Sequence, residues 1–478
     1  MAGDRVTPVI QHIDSELDSA VRRLSELLRI PSISTDPAYN DETRTAAQWL
    51  ADDLTKIGFD ASVRDTPGQP MVVAHYTPSD ATDDTPRVLY YGHYDVQPPD
   101  PLELWDSPPF DPTVVEAEHG KRIVARGAVD DKGQLMTFIE AFRAWKNTHG
   151  ELPIHITVLL EGEEESGSPS LNPFLEQNKD ELAADVCVVS DTGMWDINTP
   201  GVTYMLRGLV YVEATLHGPS HDLHSGMYGG AVLNPLNALT RVLGELHDEN
   251  GFVQIPGFYD DVRELDETER KQWEQLGFDE QAFLAGVGLQ TPVGEKGRST
   301  LERVWARPTC DINGIYGGYT GDGAKTVIGS KASAKISCRL VADQDPQKIY
   351  DGLAQFLEQR KPADGRWEIQ AHGMSPAIRV PTESPYLEAT KQALGAVYDT
   401  QPVLMGCGGS IPVVGSVQRI LGFDSLLVGF GLEDDRVHSP NEKFELRCFE
   451  MGTKCHAAML EQFSRLGAGA PRQVSVKG

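Results

Sequence analysis

The sequence predicts an α/β protein in which a discontinuous main domain, a mostly parallel sheet covered by helices, is interrupted by an inserted α+β domain. Three observations carry this. Apolar strand-like runs alternate with helical stripes up to about residue 206. From residue 207 the pattern changes to strict apolar/polar alternation. After about residue 382 the first style returns. A chain of 478 residues is too long for one ordinary core, so two domains are expected on size alone. The expected boundaries are 1–206 and 383–478 for the main domain and 207–382 for the insertion.

Taken in order, Ile13, Leu17, Val21, Leu24 and Leu28 recur at steps of three and four, which makes a helix ending before Pro31. A second helix runs from about Asp41, with Ala46, Leu50, Leu54 and Ile57 inward and Gly58 as its C-cap. MVVAHY and RVLYY read as strands. A third helix opens near Lys132 and carries Leu135, Phe138, Ile139, Phe142 and Trp145 on one stripe. IHITVLL and DVCVVS are strands again. In the insertion, Val210, Val212, Ala214 and Leu216 alternate with polar residues, as in a half-buried strand. A helix around Pro235–Leu246 follows, then a charged stretch, DDVRELDETERKQWEQLGFDEQAF, that reads as a solvated helical insertion. CDINGIYGG, KASAKISCRL and RWEIQAHGM complete an expected four-stranded antiparallel sheet, with Pro346–Gln359 as its second main helix. ESPYLEATKQALGAVY (helix) and DSLLVGFG (strand) return to the main domain.

Composition narrows the function. The chain has 42 basic against 71 acidic residues, a net charge of −29, which disfavours nucleic acid and anionic membranes as partners. An acidic ligand would need a local cation. The six cysteines form no CxxC pair, so free thiols in a reducing compartment are expected. The N-terminal segment lacks the apolar core of a secretory signal, and no stretch approaches a membrane span; a cytoplasmic protein is expected.

Five acidic or histidine clusters stand where apolar runs stop: Gly92-His93-Tyr94-Asp95, Asp130-Asp131, Glu163-Glu164-Glu165, Ser190-Asp191 and Val437-His438. In an open α/β sheet the carboxyl ends of the strands form one rim where ligands bind. Clusters remote in sequence can therefore converge. Two imidazoles and several carboxylates at one rim describe a two-metal hydrolase site. Each cluster alone has an ordinary reading. GHYD could be a turn with a capping Asp, Asp130-Asp131 a helix N-cap, and EGEEESGS a solvated acidic turn. The acidic run argues hardest, because four carboxylates in five positions repel one another unless cations lie nearby.

As a set, GHYDVQP, RGAVDDKG, EGEEESGS, VVSD, DLHSG, GAKTVI, SCRLV, GGSIP and HSPNEK resemble the carnosinase and cytosolic non-specific dipeptidase family of co-catalytic zinc peptidases. The wider group includes succinyl-diaminopimelate desuccinylase, acetylornithine deacetylase and aminoacylase. The resemblance covers nearly the whole chain. It implies a discontinuous catalytic domain with an inserted lid and dimerisation domain. It also implies two divalent metal ions per subunit, zinc first, with manganese and cobalt compatible. On this resemblance Asp130 bridges both ions, His93 and Asp191 complete one site, and Glu165 and His438 the other. Glu164 is then the general base on the bridging water, and Asp95 orients His93. His224 of DLHSG is implied to reach the active site of the neighbouring subunit in a homodimer, as an oxyanion donor. Thr326, Arg339, Gly409 and Ser410 match substrate-contacting positions, with Arg339 on the substrate carboxylate. The Asp130–Asp131 peptide bond resembles one that is cis in relatives.

The implied activity is hydrolysis of the amide bond of dipeptides or similar small peptide-like substrates. Asp at position 191, where aminoacylase-like and carboxypeptidase-like relatives typically carry Glu, points to a dipeptidase. Met405-Gly406-Cys407 stands where dipeptidase relatives often carry Arg or Glu, and together with the 258–298 insertion it bears on specificity. An N-acyl-amino-acid amidohydrolase or carboxypeptidase would use the same scaffold. A non-catalytic metal-binding homologue would lack the complete ligand set with its base.

Overall fold

The computed structural model describes residues 4–467. The chain divides into two compact units. The first holds the described residues up to Tyr204, Val380–Met405 and the described residues from Pro412; the second holds Met205–Arg379 and Gly406–Ile411.

In the first unit, four parallel strands form the centre of a mixed sheet, in the spatial order His155–Glu161, Arg87–His93, Val186–Val189, Ser425–Leu427. Antiparallel strands flank them: Met71–Tyr76 and Asp60–Arg64 on one side, Gly201–Leu206 on the other. The central strands are apolar on both faces and buried on both, as a parallel sheet sandwiched by helices requires. Val88, Tyr90, Val158, Leu160 and Val188 face a core shared with helices Val6–Leu28, Asn40–Ile57, Lys132–His149, Pro385–Tyr398 and Leu446–Ser464. Gly58 ends the second helix in the left-handed conformation (φ 107°), where its missing Cβ removes the steric cost. A separate three-stranded sheet joins Thr113–Ala117, Gly120–Val124 and Lys443–Glu445. The strand read in RIVARGAV therefore stops at Val124 and lies in this small sheet, so Asp130 is delivered by a loop and not by a main-sheet strand.

The second unit is a four-stranded antiparallel sheet in the order Thr309–Gly317, Lys331–Leu340, Gly208–His217, Arg366–Ser375. Val210, Val212, Ala214, Ala334, Ile336 and Cys338 face helices Pro235–Leu243 and Pro346–Gln359. The charged stretch forms two short helices, Glu267–Gln275 and Glu280–Gly286, of which the first is closed by an Asp266–Glu269 capping box. All six cysteines are free. No helix among the described residues is long and apolar enough to cross a membrane.

Candidate metal centre

In the first unit the five expected ligands converge. His93 ends its strand with Nε2 3.1 Å from Asp130 Oδ1 and 3.9 Å from Asp191 Oδ2. His438, in a left-handed loop residue (φ 60°), sets its Nε2 2.9 Å from Asp130 Oδ2 and 3.2 Å from Glu165 Oε2. Two triads result, His93/Asp130/Asp191 and Asp130/Glu165/His438, each with its ligand atoms within 4.8 Å of one another. Asp130 belongs to both and offers one oxygen to each. The Asp130–Asp131 peptide bond is cis.

Asp95 ties the parts together. It is fully buried, and its Oδ1 lies 3.4 Å from His93 Nδ1. Its two oxygens accept the backbone N–H groups of Glu164 (3.2 Å) and Glu165 (3.0 Å). The His93 Nδ1–H donates to the Asp95 carbonyl at 3.1 Å, which leaves Nε2 as the free ligand atom.

The acidic run sorts into separate roles. Glu161 accepts from Tyr91 Oη at 2.6 Å, and Glu163 accepts from the backbone of Gln69 and Ser170. Glu165 turns to the triad and is held by Gln97 Nε2 at 2.8 Å. Glu164 is left half-buried with no hydrogen-bond donor on its carboxylate among the described residues.

The protonation pattern reports crowded negative charge. Burial, joined by repulsion from Glu165, Asp95 and Asp130, pushes Glu164 up to about 8 against the opposing His93 charge. Burial also drives Asp191 well above the usual carboxylate range, with Asp130, Glu164 and Glu165 adding to it. Hydrogen bonds to Asp130 and Glu165 lift His438 to about 10. Burial disfavours charge on His93, yet its bonds to Asp130 and Asp95 raise it well above 6.5. Against burial, bonds with the two imidazoles hold Asp130 below the usual carboxylate range, while Glu164 and Asp191 rise, which marks a centre where negative charge outweighs the cations present. Divalent cations meet that need, and the mixed imidazole and carboxylate donor set suits zinc, manganese or cobalt.

Glu442 and Arg126 are not singled out by the sequence reading. Fully buried Glu442 accepts from Arg126 Nη1 (2.6 Å) and from the backbone N–H groups of Gly127 (3.0 Å), Val129 (2.9 Å) and Asp130 (3.1 Å). It shapes the loop that presents Asp130. The available signal was an acidic residue in the HSPNEK motif, close behind His438.

The other expected residues lie in the second unit. His224 and Thr326 stand on the short ladder Leu223–His224 with Val327–Ile328, or one residue from it. His224 is exposed, and its Nδ1 accepts from the Gly226 N–H at 3.1 Å, so the proton sits on Nε2 and that nitrogen is a donor. Arg339 Nη1 donates to Ser410 Oγ at 3.2 Å, and Gly409 is the neighbour of Ser410.

The family model for peptidase family M20/M25/M40 matches residues 89–462. The chain belongs to this peptidase family. It is 33% identical to the Cys-Gly metallodipeptidase DUG1 of Saccharomyces cerevisiae, over 96% of this chain and 98% of the relative. The structure of human carnosine dipeptidase 1 superposes with a TM-score of 0.84 at 28% identity, covering 97% of this chain and all of that one (100%). An M20 family metallo-carboxypeptidase from Sulfolobus solfataricus, Sso-CP2, matches with a TM-score of 0.82 at 32% identity, over 94% and 99% of the two chains.

Proposed function

We propose that this M20 peptidase is a two-metal dipeptidase, cleaving the amide bond of dipeptides and similar small peptide-like substrates. One observation carries the reading: Asp130 is shared by two ligand triads, with one oxygen toward each. In this reading His93, Asp130 and Asp191 hold one divalent ion and Asp130, Glu165 and His438 the second, zinc being the first candidate. Such ions supply Lewis acidity and acidify water. Glu164, which has no donor bound to its carboxylate, takes a proton from the attacking water and returns it to the leaving nitrogen. Asp95 keeps His93 Nε2 aimed and holds the Glu164 and Glu165 backbone in register.

The second unit supplies the remaining roles. Arg339 takes the substrate carboxylate, which a chain of net charge −29 would otherwise repel, and Thr326, Gly409 and Ser410 line the same subsite. His224 serves the active site of a second copy, its Nε2–H stabilising the oxyanion. In support, strand Thr309–Gly317 is an edge strand that exposes Ile312, Ile315 and Tyr316, and Met227 and Tyr228 are exposed close to His224 in sequence. The six free thiols favour the cytoplasm.

Similarity to the Sulfolobus metallo-carboxypeptidase keeps carboxypeptidase or N-acyl-amino-acid amidohydrolase activity as the second reading. Assay of the purified chain, reconstituted with zinc, manganese or cobalt, against free dipeptides and N-acylated amino acids separates the two. Dipeptides should dominate. Preference for acylated amino acids would replace the dipeptidase reading, and inactivity with every metal would remove both.

A further inference from the structure

Arg207 lies in the second unit, between strands Gly201–Leu206 and Gly208–His217. Its backbone N–H donates to the Cys407 carbonyl at 3.3 Å, and its own carbonyl accepts from Ser410 Oγ at 2.7 Å. Its side chain donates from Nε to the Gly408 carbonyl at 3.1 Å. Arg339 donates to the same Ser410 hydroxyl. Both arginines are thus fastened to the short excursion Gly406–Ile411, which groups with this unit. Gly408 makes the arrangement fit, since a Cβ there would lie 2.9 Å from Arg207 Nη2 and 3.2 Å from the Val304 carbonyl.

What the two arginines lack is as informative. The chain carries 71 acidic residues, and its buried arginines take them as partners: Arg126 pairs with Glu442 at 2.6 Å and Arg307 with Glu295 at 2.8 Å, whereas Arg207 and Arg339 are half-buried. Neither Arg207 nor Arg339 has a carboxylate within ion-pair distance among the described residues. Among the described residues, one nitrogen of each guanidinium is engaged, Arg207 Nε and Arg339 Nη1, and the remaining N–H groups have no hydrogen-bond acceptor there. Burial, and then the neighbouring Arg339 charge, pull Arg207 down to about 10, which still leaves it charged at neutral pH. Two cations fastened to one short segment without an ion-paired carboxylate are costly unless an anion joins them, and a planar guanidinium fork matches the two oxygens of a carboxylate.

We propose that Arg207 and Arg339 form a two-guanidinium seat for the free carboxylate of the substrate, with Arg207 a specificity residue beside the Arg339 anchor. The inference rests on the dipeptidase reading and adds to it a second cation and a stated preference for substrates with an unblocked C-terminus. Ser410 links the pair, donating to the Arg207 backbone carbonyl and accepting from the Arg339 guanidinium, and the glycines flanking Cys407 let the excursion pack against Trp305 and the Arg207 side chain. Arg207 also fastens the excursion, so a purely structural role must be told apart from carboxylate recognition.

The test compares the wild-type protein, Arg207→Met and Arg207→Lys on a free dipeptide, with the corresponding dipeptide amide as competitor. Arg207→Met should raise KM for the free dipeptide roughly 10- to 100-fold, the range of a charge-assisted bond. It should leave kcat within about threefold and the inhibition constant of the amide unchanged. Arg207→Lys should recover part of the loss, since it keeps the charge without the fork. An equal weakening of dipeptide and amide would assign Arg207 a structural role and overturn the inference, as would an unchanged KM. If Arg207→Met does not fold, Gly408→Ala, which crowds the guanidinium without removing it, must show the same selective rise in KM, and its absence is equally decisive. A wild-type protein that cleaves no dipeptide defeats the dipeptidase reading and the inference with it; a wild-type protein that does, beside an unaffected Arg207→Met, defeats the inference alone.

Discussion

Replacing Glu442 by Gln removes one charge and almost no volume, which makes it a sharp probe of the loop that presents Asp130. The carboxylate is fully buried and accepts four hydrogen bonds, two on each oxygen, from Arg126 and from the backbone of Gly127, Val129 and Asp130. An amide keeps one oxygen and presents an NH2 group where the other stood. Two of the four donors then face another donor, and the buried Arg126 charge loses its counter-charge. Removing one partner of a buried ion pair costs about 3–5 kcal/mol. Total stability of a folded domain is only about 5–15 kcal/mol, so urea denaturation of metal-free Glu442→Gln should show a clear fall in midpoint. The same change frees the Asp130 N–H, and loss of such outer support weakens metal affinity by roughly 10- to 100-fold. Competition with a chelating dye measures that effect. Adding Arg126→Met should recover part of the stability, because the stranded charge goes with it. A single variant within about 0.5 kcal/mol of the parent, with unaltered metal affinity, would refute the assignment of Glu442 as the support of the bridging carboxylate.

Three further expectations can be checked. Because hydrogen bonds to Asp130 and Glu165 raise His438 to about 10 from an ordinary 6.5, the metal-free folded protein holds a proton that an incoming ion must displace. That proton stabilises the metal-free fold fully below about pH 6.5, and the benefit fades as pH rises through about 10, so metal affinity should climb with pH across this window. Chelator competition at several pH values and proton release in calorimetry read this directly, and a flat affinity would contradict it. Glu164→Gln should retain both ions by elemental analysis yet lose at least about 100-fold in kcat; full turnover would strip Glu164 of its role as base. His224→Ala should reduce kcat without loss of metal, and mixing it with Glu164→Gln should restore activity through hybrid dimers. Verified hybrids that stay inactive would rule out a shared active site.

The parts of the fold written in one segment were readable. Val210, Val212 and Ala214 announced a sheet with one wet face, and RVLYY and IHITVLL announced strands buried on both. The half-exposed edge strand Asp60–Arg64 went unseen, because its alternation rests on only two small apolar side chains, Ala61 and Val63. Helix Leu446–Ser464 went unseen as well, because buried Thr453, Cys455, His456 and Glu461 blur its stripe. The acidic and histidine clusters that gather could be read from their places after apolar runs, except that Asp130 follows a loop beyond a strand of the small sheet. Within EGEEE the resemblance separated Glu164 from Glu165, but the structural roles of Glu161 and Glu163 could not be read, since they depend on Tyr91 and Gln69, each far from the run in sequence. Nothing within residues 406–411 indicates that they group with 205–379, because that is decided by remote partners such as Arg207 and Arg339.

The five proposed ligands are contributed by segments spread from residue 93 to residue 438. No local piece of the chain holds more than a fraction of either triad, so an ion gains its full set of donors only when the central sheet is complete. Occupancy is therefore thermodynamically linked to global folding, and each ion bound tightly adds RT ln(1 + [M]/Kd) to the stability of the whole first unit. Scarcity of metal would act on this protein twice, by silencing its chemistry and by shortening the lifetime of its native state.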